Sequence, residues 1–272
     1  TQKYILGFGM TMSEFFHKLI LIIPCLMKKK RLIPILLFQN GHIVQSKAFT
    51  RHQRLGNPFT AVERLSEWGS DELVYLDISK EDNVEVGRSD LKQSSSKNFL
   101  EIIKDVSKST FMPFSVGGRI RNLKDIENRF KIGADKIVIN SVFFENNFLV
   151  SEAAKEFGSQ SIIHSIDVKK IDGLYVVFSQ GGSKKEIITL KECLKRSENE
   201  GSGEILINSI DRDGKGNGYD LELLNLVCKI TKLPVIACGG VGKHEHLYEA
   251  IANTKVDAVA AANFFHYSDQ DL

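Results

Sequence analysis

Eight short aliphatic runs, each followed by a stretch with helical periodicity, constrain this chain more than any other feature. The runs occupy residues 32–38, 73–77, 112–116, 136–139, 161–167, 204–208, 235–237 and 258–262. Between them, apolar residues recur at helical spacing over 59–68, 99–107, 123–132, 149–157, 190–199, 221–230 and 245–252. Runs apolar almost throughout fit strands covered on both faces, which calls for parallel pairing with helices outside. Eight such units in about 250 residues give an α/β chain of the (β/α)8 barrel type rather than an open doubly wound sheet.

The two halves echo each other. Val116-Gly117-Gly118 recurs as Cys238-Gly239-Gly240 at an offset of 122 residues, and Ile139-Asn140 recurs as Ala262-Asn263 at an offset of 123. Glu72-Leu73-Val74 and Glu204-Ile205-Leu206 open matching strands. This is the signature of a duplicated half-barrel. Residues 175–188, which include Ser179-Gln180-Gly181-Gly182, read as a hairpin added after the fifth strand.

Composition excludes several classes. With 36 Lys and Arg against 34 Asp and Glu, the chain of 272 residues carries a formal charge of +2 and has no basic excess to neutralise nucleic acid. Cys25, Cys193, Cys228 and Cys238 show no CxxC or zinc-type spacing and read as reduced thiols of a cytoplasmic protein. Residues 19–27 are apolar but interrupted by Pro24, and fall well short of the ~20 needed to span a bilayer. No signal-peptide pattern accompanies them. Residues 1–26 are therefore read as an upstream extension and 27–272 as the barrel, with Met27 resembling a natural start. After Phe264-Phe265-His266 only six residues follow, so the eighth helix is expected to be truncated and the seam between the last and first strands to be left open to water. Residues 12–23 offer an alternative cover.

In such a barrel the loops after the strands form the active face, and a glycine pair there lets backbone amides close on an anion. Gly117-Gly118 and Gly239-Gly240, each followed one strand later by Asn140-Ser141 or Ala262-Asn263, point to two phosphate sites facing each other across the mouth. Either pair alone marks only a tight turn; their duplication carries the reading. Asp167 ends the fifth strand after an apolar run, where burial can raise a carboxyl pKa, and is the acid/base candidate. Asp213-Gly214 either makes an Asx turn or helps to anchor phosphate, and Asp77 reads as a structural hydrogen-bond acceptor. His244 and His246 are read as surface residues, and no metal or cofactor is expected.

Leu32-Ile33-Pro34, 71–78, Val116-Gly117-Gly118, Gly133-Ala134-Asp135-Lys136, Phe157-Gly158-Ser159-Gln160, Gly203-Glu204-Ile205-Leu206 and 209–214 together carry a resemblance. From about Arg31 to His266 the chain resembles the HisF family, the cyclase subunit of imidazole glycerol phosphate synthase. The resemblance implies a subunit of a glutamine-dependent synthase of the lyase class. A HisH-like glutaminase would dock on the N-terminal face of the barrel. Ammonia would cross to the other face, where a bis-phosphorylated ribonucleotide is cleaved and cyclised. It also implies an ammonia gate at Arg31, Glu72, Lys136 and Glu204, with Asp135 beside it at the glutaminase interface; without the resemblance, the same charges make a structural ion cluster.

The opposite mouth departs from the family pattern. The acid expected on the first strand is Leu37, the lysine expected a few residues later is Gln45, and Arg119 stands where a third glycine would complete the loop. The run 32–37 instead resembles the glycosyl-amidation branch of the WbuZ or AglZ type. Membership there implies a surface-polysaccharide (lipopolysaccharide, O-antigen) role with a separate sugar amidotransferase, forming an acetamidino group on a nucleotide-linked sugar. This branch is the leading expectation. Histidine-pathway cyclisation and a catalytically silent scaffold that activates the glutaminase are the alternatives. A phosphorylated small molecule is the expected substrate, with neither nucleic acid nor membrane as a partner.

Overall fold

The computed structural model describes residues 29–56, 61–62, 65, 70–79, 99–108 and 112–267, together with a two-stranded pair, β1 (Tyr4–Ile5) and β2 (Met10–Thr11). Apart from that pair, the expected extension at 1–26 lies outside the described residues, as does most of the helix expected over 59–68, which is described as helical at Ala61, Val62 and Leu65. Among the described residues no helix is long and apolar enough to cross a membrane.

Eight parallel strands close on themselves in the order β3 (Arg31–Gln39), β6 (Leu73–Asp77), β7 (Phe114–Gly117), β8 (Lys136–Ile139), β9 (Ile162–Ile171), β12 (Glu204–Ser209), β13 (Val235–Cys238) and β14 (Ala258–Ala261). Closure is made by β14 beside β3, with Ala258 opposite Arg31. The described helices are α1 (Phe99–Ser107), α2 (Leu123–Lys131), α3 (Ser141–Glu145), α4 (Leu149–Phe157), α5 (Leu190–Glu200), α6 (Leu221–Ile230), α7 (His244–Asn253) and α8 (Phe264–Tyr267). The barrel expected from the aliphatic runs is thus the observed fold.

Strand alternation sorts the core into two layers. Ile33, Ile35, Val74, Val138, Ile163 and Leu206 point into the barrel, with Ile236, Cys238, Ala258 and Ala260. The intervening residues point outward into a larger layer against the helices, where Tyr75 packs among Phe38, Phe99 and Phe114 at centroid distances of 6.0 to 6.3 Å. Helix ends are set locally: Thr189 and Glu192 form a reciprocal capping box on α5, and Gly201 closes it in the left-handed conformation.

The half-barrel echo extends to the strand feet. Asp71, Asp135 and Asp257, each just before an even-numbered barrel strand, accept from the backbone amides of Leu32, Phe114 and Val235 on the preceding strand. Asp135 and Asp257 are 122 residues apart, the same offset as the glycine pairs.

Three expectations are corrected. The eighth helix is a single turn, α8, but the seam is not open to water: Leu32, Val259 and Ala261 are buried, and Phe265 packs in the same layer. His246 is buried, its Nδ1 accepting from the Gly242 amide at 3.2 Å, and His244 is half-buried with its ring edge-on to Phe264. His246 lies on the buried face of α7 with Leu247 and Ala250, which its position near a helix start did not disclose. Finally, the aliphatic reading of the first strand overlooks a hairpin beyond it, β4 (His42–Lys47) and β5 (Arg51–Gly56). Asn40-Gly41 joins β3 to β4 with both residues at positive φ, the strongest short hairpin signal a sequence carries. The hairpin expected after the fifth strand is present as β10 (Leu174–Ser179) and β11 (Lys184–Thr189), beside β9.

Candidate functional site

At the N-terminal ends of the strands, four charges meet on the barrel floor. Arg31 donates to Glu72 Oε1 at 2.6 Å and to Glu204 Oε2 at 2.6 Å, while Lys136 Nζ lies 2.6 Å from Glu204 Oε1 and 3.3 Å from both Glu72 oxygens. Each cation touches both acids, so the four side chains form a closed ring across the bore. Burial opposes ionisation of Glu204, but the hydrogen bonds and charges of Arg31 and Lys136 outweigh it and hold its pKa below the usual carboxylate range. Asp135 stands outside the ring, exposed, with its carboxylate on the Phe114 amide.

Above the ring the bore is lined mainly by aliphatic side chains, with Ser115 and Ser165 at buried inward positions, up to the mouth, where the inward positions turn polar on one side. Asp167, Asn208 and Cys238 sit at one level on adjacent strands β9, β12 and β13. Asp167 is buried; burial pushes its carboxyl up to about 7, against the opposing hydrogen bonds from Asn140 and Asn208, and the negative charge of Asp213 adds to the rise. Asn140 Nδ2 donates to Asp167 Oδ2 at 2.9 Å and to the Ser165 carbonyl at 3.0 Å. A carboxyl that burial brings near neutrality, with only uncharged hydrogen-bond partners to oppose it, can accept or return a proton at physiological pH. Asn208 was not singled out from sequence, although the alternation Glu204, Leu206, Asn208 already placed it on the inner face.

The other side of the mouth is apolar. Leu37 is the last inward apolar residue of β3, directly opposite Leu76 on β6 and Val44 on β4, and both leucines pack on the barrel interior. Gln45 lies on β4 and bonds Gln53 across the hairpin at 3.0 Å. Arg119 takes a left-handed φ of 54° directly after Gly117-Gly118.

Both glycine pairs are dictated by packing. A Cβ on Gly118 would lie 2.0 Å from the Asp77 carbonyl oxygen, and one on Gly240 would lie 2.2 Å from that of Gly218. Asp77 itself accepts from the Ser79 amide at 2.9 Å, the structural role expected of it. The loop-end residues expected to face one another as two equivalent anion sites are used unequally. Asn140 clasps Asp167, and Ser141 Oγ accepts from the Gln180 amide of the β10–β11 turn at 3.0 Å. Asp213, Gly214 and Asn263 surround the tip of the β4–β5 hairpin instead: Ser46 Oγ donates to Asp213 Oδ2 at 2.7 Å, and Asn263 Nδ2 donates to the Ser46 carbonyl at 2.7 Å. Asn263 stands directly after Ala262, which packs on the barrel interior.

That tip is strained. Ala48 and Phe49 have φ of 51° and 59°, and Thr50 N bonds the Lys47 carbonyl, so the turn adopts a left-handed form that favours Asn-Gly. Two such residues cost about 1–3 kcal/mol each. The Ala48 amide donates to the Asp213 carbonyl at 3.0 Å, the Phe49 amide to its carboxylate at 3.3 Å, and the Phe49 ring meets Gly182 of the opposite hairpin. The two hairpins, rooted on the first and fifth barrel strands, therefore touch over the mouth. Among the described residues no group of three or more His, Cys, Asp or Glu is placed to hold a metal.

A family profile described as histidine biosynthesis protein matches residues 31–271. Proteins named imidazole glycerol phosphate synthase subunit HisF are similar over most of both chains. The one from an Exiguobacterium species is 38% identical over 240 residues, covering 88% of this chain and 89% of its own. Those from Saccharolobus solfataricus and Metallosphaera sedula are 38% and 39% identical, each covering 88% of this chain and 91% of its own. The chain belongs to the HisF family of histidine biosynthesis proteins. In this fold the four ring charges meet at the strand feet, while Asp167 and Leu37 lie at the opposite, mouth end of their strands.

Proposed function

We propose that this HisF-family barrel is the synthase subunit of a glutamine-dependent complex, taking ammonia from a HisH-like glutaminase at the ring end and using it at the mouth on a phosphorylated substrate. The observation that carries this is the placement of a closed four-charge ring below a mainly aliphatic bore that ends at a buried carboxyl near neutral pKa. Ammonia must cross the apolar section as the neutral molecule, since an ammonium ion there would be unpaired. At the top, Asp167 takes a proton from the attacking nitrogen or returns one to a leaving oxygen, with Asn140 and Asn208 fixing its orientation. Asp135 would lie at the glutaminase contact.

For the substrate, the names of the relatives support the imidazole glycerol phosphate synthase reaction, with Asp167 as the acid/base. Leu37 against Leu76 favours a second reading, in which the complex serves sugar amidation together with a separate amidotransferase. An apolar wall cannot supply the second proton-transfer group, and it accommodates an uncharged acyl group instead.

The deciding experiment combines the purified protein with its cognate glutaminase. Stimulated glutamine hydrolysis is expected; no complex and no stimulation would refute the ammonia reading. Turnover of the bis-phosphorylated ribonucleotide with saturating ammonium would assign the histidine-pathway reaction. Turnover of a nucleotide-linked N-acetyl sugar only when the amidotransferase is added would assign the second. Glutaminase stimulation without turnover in either assay would make the protein a scaffold.

A further inference from the structure

We propose that His164 and Arg196 are positioning residues for Asp167: from the outer side of the barrel they hold Phe143, and with it α3, so that Asn140 at the head of that helix stays against the carboxyl. The proposal rests on Asp167 being the acid/base group, as argued above.

α3 has few means of placing itself. It is five residues long, too short to be stable alone, and Asn140 makes no side-chain bond to its first turn. The Asn140 amide is committed to Asp167 Oδ2 and the Ser165 carbonyl instead. Other elements must therefore fix the helix. Arg196 on α5 donates through Nη2 to the Phe143 carbonyl at 2.7 Å and to Asn147 Oδ1 at 2.9 Å, and its guanidinium carbon lies 4.2 Å from the centre of the Phe143 ring. His164 stacks on the same ring, with centroids 3.9 Å apart and planes inclined by 30°. Phe143 and His164 are both wholly buried.

His164 precedes Asp167 by three residues on β9, so strand alternation turns it outward where Asp167 turns inward. Its orientation is set from α5. Ser197 Oγ donates its single proton to the Cys193 carbonyl at 2.9 Å, so in its 2.5 Å contact with His164 Nδ1 it accepts, and the imidazole carries its proton on Nδ1. Nε2 is left buried without a partner. Burial, with the charge of Arg196 adding to it, lowers the ring's pKa to about 3, so the ring stays neutral and lies flat on Phe143 without repelling the guanidinium. An aliphatic side chain would fill the space but would have no bond to α5 to fix its plane.

The line of contacts runs from α5 through His164 and Phe143 to Asn140 and ends on Asp167. Loosening it frees the Asn140 amide, which opposes the rise that burial causes in the Asp167 carboxyl. Asp213, whose charge adds to that rise, lies outside this line, as do Asn208 and Cys238 on β12 and β13.

The stability of each protein minus that of its Asp167→Asn counterpart, from denaturant melts between pH 5 and pH 9, reports where this carboxyl titrates without any turnover. Asn140→Ala is expected to move that midpoint upward from about 7, and Arg196→Ala and His164→Leu to move it the same way by a smaller amount. With Asn140→Ala already present, Arg196→Ala should move it no further. Arg196→Lys, which keeps a charge without the planar fork, should fall between the unmodified protein and Arg196→Ala. Ammonium-driven kcat at pH 7 should fall on the order of tenfold in Arg196→Ala, with KM little changed. Thr231→Ala is the structural control: it removes a bond to Glu198 on α5 without touching α3, and should lower Tm and leave the midpoint in place. An unmoved midpoint in Arg196→Ala, a shift fully additive with that of Asn140→Ala, or an equal shift in Thr231→Ala would overturn the proposal, and Arg196→Ala decides it even if His164→Leu does not fold. Turnover that survives Asp167→Asn would instead defeat the acid/base reading, and the midpoints would still judge the positioning.

Discussion

Asn140 Nδ2 lies 2.9 Å from Asp167 Oδ2, giving the buried carboxyl at the mouth a neutral partner. A cation in that place would hold Asp167 ionised; an amide leaves burial dominant, and the carboxyl rises from 3.8 to about 7. Between those two values the folded protein binds a proton that the unfolded chain has lost, so this residue's contribution to stability is full below the unfolded pKa and declines as pH rises towards 7. Asp167→Asn should therefore flatten the pH dependence of stability across that window. At pH 8 it should raise stability by up to roughly 4 kcal/mol, the equivalent of about three pKa units. Denaturant melts at pH 5 and pH 8 check this: an equal shift at both would contradict it. The same substitution should lower ammonia-dependent turnover by about 10²- to 10⁴-fold.

At the floor, Lys136→Glu would put three acids against one base. Stability should fall by roughly 1–3 kcal/mol, less than for a wholly buried pair because the ring is partly open to solvent. Glu204, held ionised by its partners, contributes stability that is present above the normal carboxylate pKa and is lost as pH falls through its depressed value; the variant should lose that acid-side dependence. Glutamine-driven turnover should drop more than turnover driven by added ammonium. Equal losses in the two assays would leave the ring with a structural role alone.

Leu37→Asp introduces a carboxyl beside Leu76 on the barrel interior. A cost of about 1–3 kcal/mol is expected from burying it, with a gain in ribonucleotide cyclisation below about tenfold, short of the 10²- to 10⁴-fold that a complete acid/base pair supplies. Gln45 and Arg119 still differ from the family pattern. Robust cyclisation by the unmodified protein at saturating ammonium would show that Leu37 is no obstacle.

Asp213→Ala removes the acceptor for Ser46 Oγ and the Phe49 amide. The strained turn then loses its clasp, at a cost of about 1–3 kcal/mol. Because Lys47, Arg51 and Arg54 are trypsin sites within this hairpin, limited tryptic digestion should cut it faster in the variant. Unchanged cleavage rates would mean that Phe49 packing on Gly182 suffices to hold it.

The barrel was legible because its strands are apolar at both inward and outward positions, a pattern that open antiparallel sheets do not produce. The observed bounds of β6, β8, α1, α4 and α6 coincide with the periodic runs. The β4–β5 hairpin was not legible in the same way: its segment 42–56 is largely polar, and only Asn40-Gly41 announced it. Asp167 could be read from its place at the end of an apolar strand, but its alignment with Asn208 and Cys238 depends on register between strands some 30 to 40 residues apart, which periodicity within one strand does not carry. The inequality of the two Asn positions was hidden for a related reason. Duplication predicts equivalent sites, and it is the hairpin's backbone, reaching across from another strand, that breaks the equivalence.

The partnership of the first barrel strand with the last has a consequence for how the chain is made. Arg31 pairs with Glu204 173 positions later, and its strand finds its second neighbour only when Ala258 has been synthesised. At ribosomal rates that interval is on the order of tens of seconds, during which one flank of β3 stays without its partner strand. Contacts so distant in sequence form late, because the chain between them must first give up its freedom. The charged ring can close only after Glu204 has been made, and a nascent chain that stops before it has no assembled inlet with which to engage a glutaminase.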